Sequence, residues 1–369
     1  LGDAFIYLGI NKLNASISDI EKIRLPSGKM IVLPEMLSGL GEISFDGNFT
    51  GFTTDFVTFG SIRTEQGNVR TDVSLRPEGK NSFRIKGLIS GQSINLGEIT
   101  GNSELLGKIS MDAEVDGNAS SLNRFSGSLT ATVDSAEING YTYRNAALNG
   151  TFTEKTWDGS INIDEKNIKM DLLGMFDFRN ELPEFDFTLN LANANFHRLN
   201  IDKTDSLSGL SMLMTANFKG SNIDNLNGEI RVLNSTLRKT NNKLDLYDLS
   251  LKASSEGNQP LINLKTDFLS AELRGYYNFA GLGSLFRTTL ASMMPSRFKI
   301  PAPEKNQRLN NFTFNIIFNN SDKLNSYFNT GFSIAEKTGL KGSVLSDSLL
   351  TLSLSSDRIE FKNNTLNGL

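Results

Sequence analysis

Apolar and polar residues alternate along most of the chain, and the alternation is grouped into a unit that recurs. The clearest copies cover residues 106–133 and 207–232. Each copy opens with a glycine and continues with apolar residues at every second position. A second glycine predicts a turn, and the alternation resumes after a third. Because successive side chains of a strand point to opposite faces, each copy predicts two β-strands with one apolar face.

Shorter or looser copies flank these two, which predicts a repeat architecture. Leu37-Ser38-Gly39-Leu40 matches Leu207-Ser208-Gly209-Leu210, and another copy begins at Leu309. The copies divide the chain into six segments. These are the tail of a preceding repeat at 1–36, a shortened β repeat at 37–105, β repeats at 106–206 and 207–280, a helix with a proline-containing connector at 281–308, and a partial β repeat at 309–369. The predicted fold class is mainly β, built from antiparallel strands.

Glycine-containing pairs predict where the strands turn. The pairs typical of tight hairpins are Asn139-Gly140, Asn149-Gly150 and Asp158-Gly159. The second glycine of the repeat, Gly117 or Gly220, also predicts a turn. Apolar alternation continues on both sides of Gly174, so we predict a bulge or a tight bend inside a strand there.

One segment has helical rather than strand periodicity. Residues 281–294 predict a short amphipathic helix that ends at Pro295, followed by an extended connector with Pro301 and Pro303. Its apolar residues are Leu282, Leu285, Phe286, Leu290, Met293 and Met294. We favour a helix that packs on the apolar face of the sheet or caps its edge. A lid or a contact with a membrane surface is the alternative.

Composition and charge exclude several classes of protein. The chain has 369 residues, a net charge of −4 and no cysteine. It has no basic patch and is not predicted to bind nucleic acid. Without cysteine there is no disulfide framework and no thiolate metal site. The chain begins with Leu1 and contains no signal peptide or long apolar span, so we expect it to be part of a longer protein.

No constellation of residues predicts catalysis, so we expect the protein not to be an enzyme. The single histidine, His197, is not accompanied by the G-x-S-x-G motif of a Ser-His-Asp hydrolase, and we expect it in a solvent-exposed loop. One histidine cannot build a histidine-pair metal site. Asp46-Gly47-Asn48 and Asp116-Gly117-Asn118 lack the ligand series of a calcium loop and predict turns. Gly281-Leu282-Gly283 lacks the third glycine of a dinucleotide site, so no cofactor is predicted.

The apolar face of the predicted strands is therefore the candidate functional site. Its residues are Ile109, Met111, Ala113, Val115, Leu129, Ala131, Val133, Ile161, Ile163, Phe176, Phe178, Phe187, Leu189, Met212, Met214, Ala216, Phe218, Ile230, Val232, Phe314, Ile316 and Phe318. A sheet with one apolar face must close on itself, stack on another sheet, or curl around an apolar ligand. A sandwich or barrel filled by its own side chains stays an alternative. A transmembrane barrel needs aromatic girdles, and the chain has a single tryptophan, Trp157.

Several of these features resemble the periplasmic part of AsmA-like proteins of the TamB family. They are Leu-Ser-Gly-Leu at 37–40 and 207–210, Leu-x-Gly at 226–228 with a looser form at 122–127, and the stretch from Leu191 to Gly220. The resemblance covers most of residues 37–369. It implies one long, twisted and curled sheet that forms a U-shaped groove with a continuous hydrophobic interior. Members of this family are anchored in the inner membrane of Gram-negative bacteria and extend through the periplasm toward the outer membrane.

The resemblance also implies a function, which is phospholipid transport between the two membranes and support of outer-membrane protein assembly. The expected partners are phospholipids, an outer-membrane β-barrel, and the inner membrane through an anchor outside this chain. About thirty chain methylenes at about 0.8 kcal/mol each make the crossing of water cost on the order of 25 kcal/mol, and an evenly apolar groove removes that barrier. The alternative is a structural β-solenoid or β-sandwich of the envelope or cell surface with a filled core.

Overall fold

The computed structural model describes most of the chain. The described residues are 5–22, 30, 40–52, 55–78, 82–121, 124–256, 259–293, 310–345, 349–362 and 364–369. Several predicted features lie outside them. These are the motif residues Leu37, Ser38 and Gly39, the predicted helix end at Met294, the connector with Pro301 and Pro303, and Leu309.

Strands dominate the structure, because 69% of the residues lie in strands and 9% in helices. Nineteen strands belong to one antiparallel sheet that is not closed into a barrel, and three short strands form a second sheet. This confirms the predicted mainly β fold with one large antiparallel sheet. The chain divides into two units, residues 1–179 with 190–206 and residues 180–189 with 207–369.

In the first unit, strands β1 to β10 each pair antiparallel with the next strand along the chain. They are β1 (Ile6–Ser16), β2 (Glu42–Gly51), β3 (Phe56–Thr64), β4 (Gly67–Pro77), β5 (Phe83–Asn95), β6 (Leu106–Ser121), β7 (Arg124–Ile138), β8 (Tyr141–Thr153), β9 (Thr156–Asp164) and β10 (Ile168–Asp177). Helix α1 (Ile17–Glu21) follows β1, and helix α2 (Leu96–Thr100) connects β5 to β6. Strand β11 (Glu184–Asn195) contributes residues to both units.

The second unit continues the antiparallel pattern. Its strands are β12 (Gly209–Lys219), β13 (Asn227–Arg238), β14 (Lys243–Glu256), β15 (Gln259–Thr266), β16 (Leu269–Tyr276), β17 (Asn311–Phe318), β18 (Phe332–Ile334), β19 (Thr338–Leu345), β20 (Leu349–Ser355), β21 (Arg358–Phe361) and β22 (Asn364–Asn367). Consecutive strands pair from β12 to β17, then β17 pairs with β19 and β19 with β20. Strands β18, β21 and β22 form the small sheet. The helices are α3 (Phe279–Met293), α4 (Asp322–Phe328) and a 3-10 turn at Ile223–Asn225.

The hairpin predictions have mixed outcomes. Asn139-Gly140 joins β7 to β8 with φ values of 52° and 71°, the left-handed conformation that a two-residue hairpin turn requires, so this prediction is confirmed. The turns predicted at Asn149-Gly150 and Asp158-Gly159 are wrong. Gly150 and Gly159 lie inside β8 and β9 and oppose each other directly across the strands.

The turns predicted at Gly47 and Gly117 are wrong for the same reason, since both glycines lie inside strands β2 and β6. A Cβ added at Gly117 would lie 2.7 Å from the Cα of Gly127 on the neighbouring strand. These glycines allow two strands to approach closely and do not reverse the chain. At Gly174 the β9–β10 register is unbroken and the φ is 158°. The pairing of β10 with β9 therefore contains no bulge at this glycine.

Candidate functional site

The strand register places the predicted apolar residues of the first unit in rows across neighbouring strands. Residues directly opposite each other in antiparallel strands have their side chains on the same face. One row consists of Ala113, Ala131, Leu148, Ile161 and Leu172. The next row consists of Met111, Val133, Ala146, Ile163 and Met170. Two further rows consist of Val115, Leu129, Gly150, Gly159 and Gly174, and of Gly117, Gly127, Phe152, Trp157 and Phe176. We call this surface the first apolar face.

The first apolar face continues through β2 to β5, which the sequence had not identified as part of the site. The additional large residues include Phe45, Phe49, Ile62, Val69, Val73, Ile85 and Ile89. The alternation of apolar and polar residues in these strands is less regular for two reasons. Small or polar residues such as Gly60 and Thr71 occupy positions on this face. On the opposite face, Val57 and Phe59 are 45% and 53% exposed.

The second unit has an equivalent surface, which we call the second apolar face. One row consists of Ala216, Ile230, Leu251, Leu264, Ala271, Ile316, Leu340 and Leu354. Another consists of Phe218, Gly228, Ala253, Ile262, Leu273, Phe314, Gly342 and Leu352. A third consists of Met214, Val232, Leu249, Thr266, Leu269, Phe318 and Thr338. The leucines of β14 and β15 had not been named as site residues, although their alternation is equally regular.

Five of the predicted residues, including Phe178, lie at irregular positions or outside these paired rows. Met212 lies where the β12–β13 register shifts, and Ile109 lies beside a similar shift between β6 and β7. Phe187 and Leu189 are half-buried positions of β11 that alternate with exposed polar residues. These positions share their side of the strand with Phe185, whose ring stacks on that of Phe218 at 4.8 Å.

Phe178 is the predicted residue that lies just beyond the end of a strand. It follows the last residue of β10, and 50% of its surface is exposed. Its backbone N–H donates a hydrogen bond to the carbonyl of Lys155 at 3.0 Å. Phe178 lies two residues after Phe176, as the alternation requires, but β10 ends between them at Asp177. The alternation therefore no longer fixes the direction of the Phe178 side chain.

Both apolar faces remain partly open. The residues on them that are fully buried include small ones, such as Ala113, Ala131 and Ala216, at 5%, 7% and 3% exposure. Larger residues such as Met111 and Met214 are only half-buried. In a sandwich filled at normal packing density, side chains of this size would be buried by a facing layer.

The opposite face of the sheet is charged. The Asp116 carboxylate pairs with Arg84 and Lys86 at 2.7 and 3.2 Å, and Glu229 pairs with Lys252 at 3.1 Å. Hydrogen bonding from Lys86, together with the charges of Lys86 and Arg84, holds the pKa of Asp116 below its ordinary value. Such exposed pairs contribute little stability, but they keep this face hydrated. The sheet is therefore amphipathic through its thickness.

Part of the second apolar face is covered by the start of helix α3. A buried cluster is formed by Ala253, Ile262, Tyr277, Phe312 and Val344. Phe279 and Leu282, in the first turn of α3, pack against it. This agrees with the favoured interpretation of a helix packed on the apolar face. The side chains of Leu285, Phe286, Leu290 and Met293 lie outside the description.

Comparisons of the chain with protein-family models, curated proteins and solved structures find no match. Within the described residues, no helix is long and apolar enough to span a membrane. Nor do the described acidic and histidine side chains form a group of three that could hold a metal ion. His197 lies in a loop as predicted but is half-buried, with Nδ1 3.1 Å from the carbonyl oxygen of Asp202. The apolar faces are thus the feature on which a function can be argued.

Proposed function

We propose that the two apolar faces bind the acyl chains of phospholipids, and that the protein is an AsmA-like envelope protein of the TamB type. In this proposal it conducts phospholipids between the inner and outer membranes and thereby supports outer-membrane biogenesis and protein assembly. One observation carries the proposal. The apolar rows continue from strand to strand, yet many of their large side chains, including Met111, Val133 and Met214, remain half-buried.

The energetics of an acyl chain fit such a surface. Each methylene removed from water contributes about 0.8 kcal/mol, so a lipid gains from lying along a row and exposes its head group to water. The nine paired strands β2 to β10, at about 4.8 Å spacing, make the first apolar face roughly 38 Å across. Because neighbouring positions along it are chemically similar, a chain can move between them without leaving a deep energy minimum.

A structural role with a filled core is the competing function, and one observation favours it. The residues of the cluster beneath α3 are buried like those of an ordinary core. That cluster occupies part of the second unit, whereas the rows around Met111 and Val133 remain half-buried. Lipid conduction therefore accounts for more of the surface than a packed core does.

Site-specific photo-crosslinking tests the proposal. A photoreactive amino acid is introduced at Val133 or Met214 on the apolar faces, and at the adjacent exposed residues Thr132 or Thr215 as matched controls. The protein is expressed in a Gram-negative host, and its adducts are identified by mass spectrometry. We expect phospholipid adducts at the two apolar-face positions and none at the controls. Folded protein without lipid adducts at Val133 and Met214 would refute the proposal.

A further inference from the structure

Beneath the first turn of α3, the second unit has a partly open apolar cavity of about 320 Å³. The sheet contributes Ala271, Leu273 and Phe314 to its walls, and the helix contributes Phe279 and Leu282. Among the described residues that line the cavity, Glu272 is the one with an ionisable side chain, and this half-exposed side chain pairs with Arg274. The cavity thus offers almost no hydrogen-bonding group to a bound water or polar ligand.

The first turn of α3 forms the roof of this cavity, and hydrogen bonds at the start of the helix hold it in place. Asp224 accepts a hydrogen bond from the backbone N–H of Phe279 at 2.8 Å. The amide oxygen of Asn310, a residue only 2% exposed, accepts one from the backbone N–H of Asn278 at 2.7 Å. These bonds fix the first turn of α3 above the sheet, so the space below is not removed by the helix settling onto Leu273.

Size and chemistry together indicate the ligand. An engineered apolar cavity of about 150 Å³ binds benzene, so a cavity about twice that size accommodates about a dozen carbon atoms. An unbranched hydrocarbon chain fills such a space without leaving a polar group unpaired. A chain inside it contacts apolar atoms from the sheet and from the helix, whereas a chain on the open rows contacts only the sheet.

We propose that this cavity binds the terminal segment of a single acyl chain and forms a discrete holding site on the second apolar face. This inference rests on the proposed lipid function and adds to it a saturable site with a stoichiometry of one. Lipid moves freely along the open rows and is retained at α3.

Binding of dodecanoic acid to the whole protein, counted by native mass spectrometry and titrated, tests the holding site. In Ala271→Leu the larger side chain enters the cavity and fills it. We expect the tight, one-to-one binding to weaken at least tenfold without loss of thermal stability. Ser270→Leu, which places the same side chain on the opposite face, should bind like the parent. Phe279→Ala removes the roof instead and should weaken binding by a different route.

A second readout separates this inference from the proposed function. Quenching of Trp157 by bromine-labelled chains reports on the first apolar face, in the other unit. Loss of tight binding in Ala271→Leu with unchanged Trp157 quenching supports both the holding site and lipid binding along the first apolar face. Unchanged tight binding in Ala271→Leu and Phe279→Ala overturns the holding site. A tight site without any Trp157 quenching would leave the holding site standing and refute lipid binding along the first apolar face.

Discussion

At the scale of single residues, neighbouring side chains on one strand have opposite surroundings. Met214 opposes Val232 on the second apolar face and is half-buried, whereas the next residue, Thr215, opposes Arg231 and is exposed. The difference between these two neighbours provides a direct test of whether the apolar face is open or covered.

We predict that Met214→Glu folds but is less stable than the parent. A carboxylate at a half-buried position keeps access to water, so we expect a loss of about 1–3 kcal/mol and not the larger cost of a fully buried, unpaired charge. For a unit of this size that loss lowers Tm by about 2–4 °C per kcal/mol, measurable by thermal melting. Thr215→Glu is the matched control and should melt like the parent. An unfolded Met214→Glu beside a folded Thr215→Glu would contradict an open face.

Asp177 is an acidic residue that is buried at the end of β10. It is 4% exposed and accepts hydrogen bonds from the backbone N–H and the guanidinium group of Arg179. The side-chain bond from Arg179, followed by the backbone bond, lowers the pKa of Asp177 from 3.8 to about 2. Because the folded pKa lies below the unfolded one, the folded state binds fewer protons in this window, and the contribution to stability is lost as pH falls.

We therefore predict that Asp177→Asn is less stable than the parent at pH 6, and that the difference shrinks from about pH 4 to pH 2. At pH 2 the carboxyl group of Asp177 is about half protonated in the folded protein, so the charge difference between the two proteins is reduced. Thermal melts of the two proteins across this range measure the effect. A difference in Tm that is constant from pH 6 to pH 2 would show that the charge of Asp177 contributes nothing.

At the scale of secondary structure elements, the repeat glycines have a physical cause that the sequence alone did not reveal. Gly228 lies on the second apolar face with a φ of 134°. A Cβ added there would lie 2.6 Å from the Cα of Phe218 on β12. Gly127 occupies the equivalent position of the other clear repeat and would collide with Gly117 in the same way. The glycine recurs because the two strands approach closely at this point of each unit.

We predict that Gly228→Ala destabilises the protein by about 1–3 kcal/mol, because alanine rarely adopts this φ and its methyl group meets β12. Chemical denaturation followed by circular dichroism measures the loss. Gly339→Ala is the control in the same unit, since a Cβ at Gly339 has no neighbour within 4 Å. Equal stability of the two variants would show that strand approach at Gly228 is not constrained.

The elements also show which parts of the fold were predictable. The existence of strands β6, β7, β12 and β13 follows from the alternation of apolar residues, and that of α3 follows from its helical spacing. The Asn-Gly and Asp-Gly pairs at 149–150 and 158–159 have the local chemistry of turns, yet they lie inside strands. Their conformation is set by the opposing glycine on the next strand, and that pairing cannot be predicted from the local sequence.

At the scale of the whole molecule, each unit presents one apolar and one charged face of its strands. The alternation predicted which residues share a face, and the register adds the rows in β2 to β5, β14 and β15 that extend the predicted site. The cavity beneath α3 was not predictable, because it depends on where Phe279 and Leu282 lie relative to distant strands. Acyl-chain binding is the claim on which the proposed function depends.

Trp157 provides the most direct measurement of that claim. It is the only tryptophan of the chain, lies on the first apolar face and packs against Phe176 at 5.2 Å. Lipid-free protein is titrated with phospholipid brominated on its acyl chains, and with the unbrominated lipid for comparison. Moving the tryptophan to the charged face, as Thr151→Trp with Trp157→Phe, gives the control. We predict saturable quenching by the brominated lipid for Trp157 alone. Identical fluorescence with both lipids would contradict acyl-chain binding on this face.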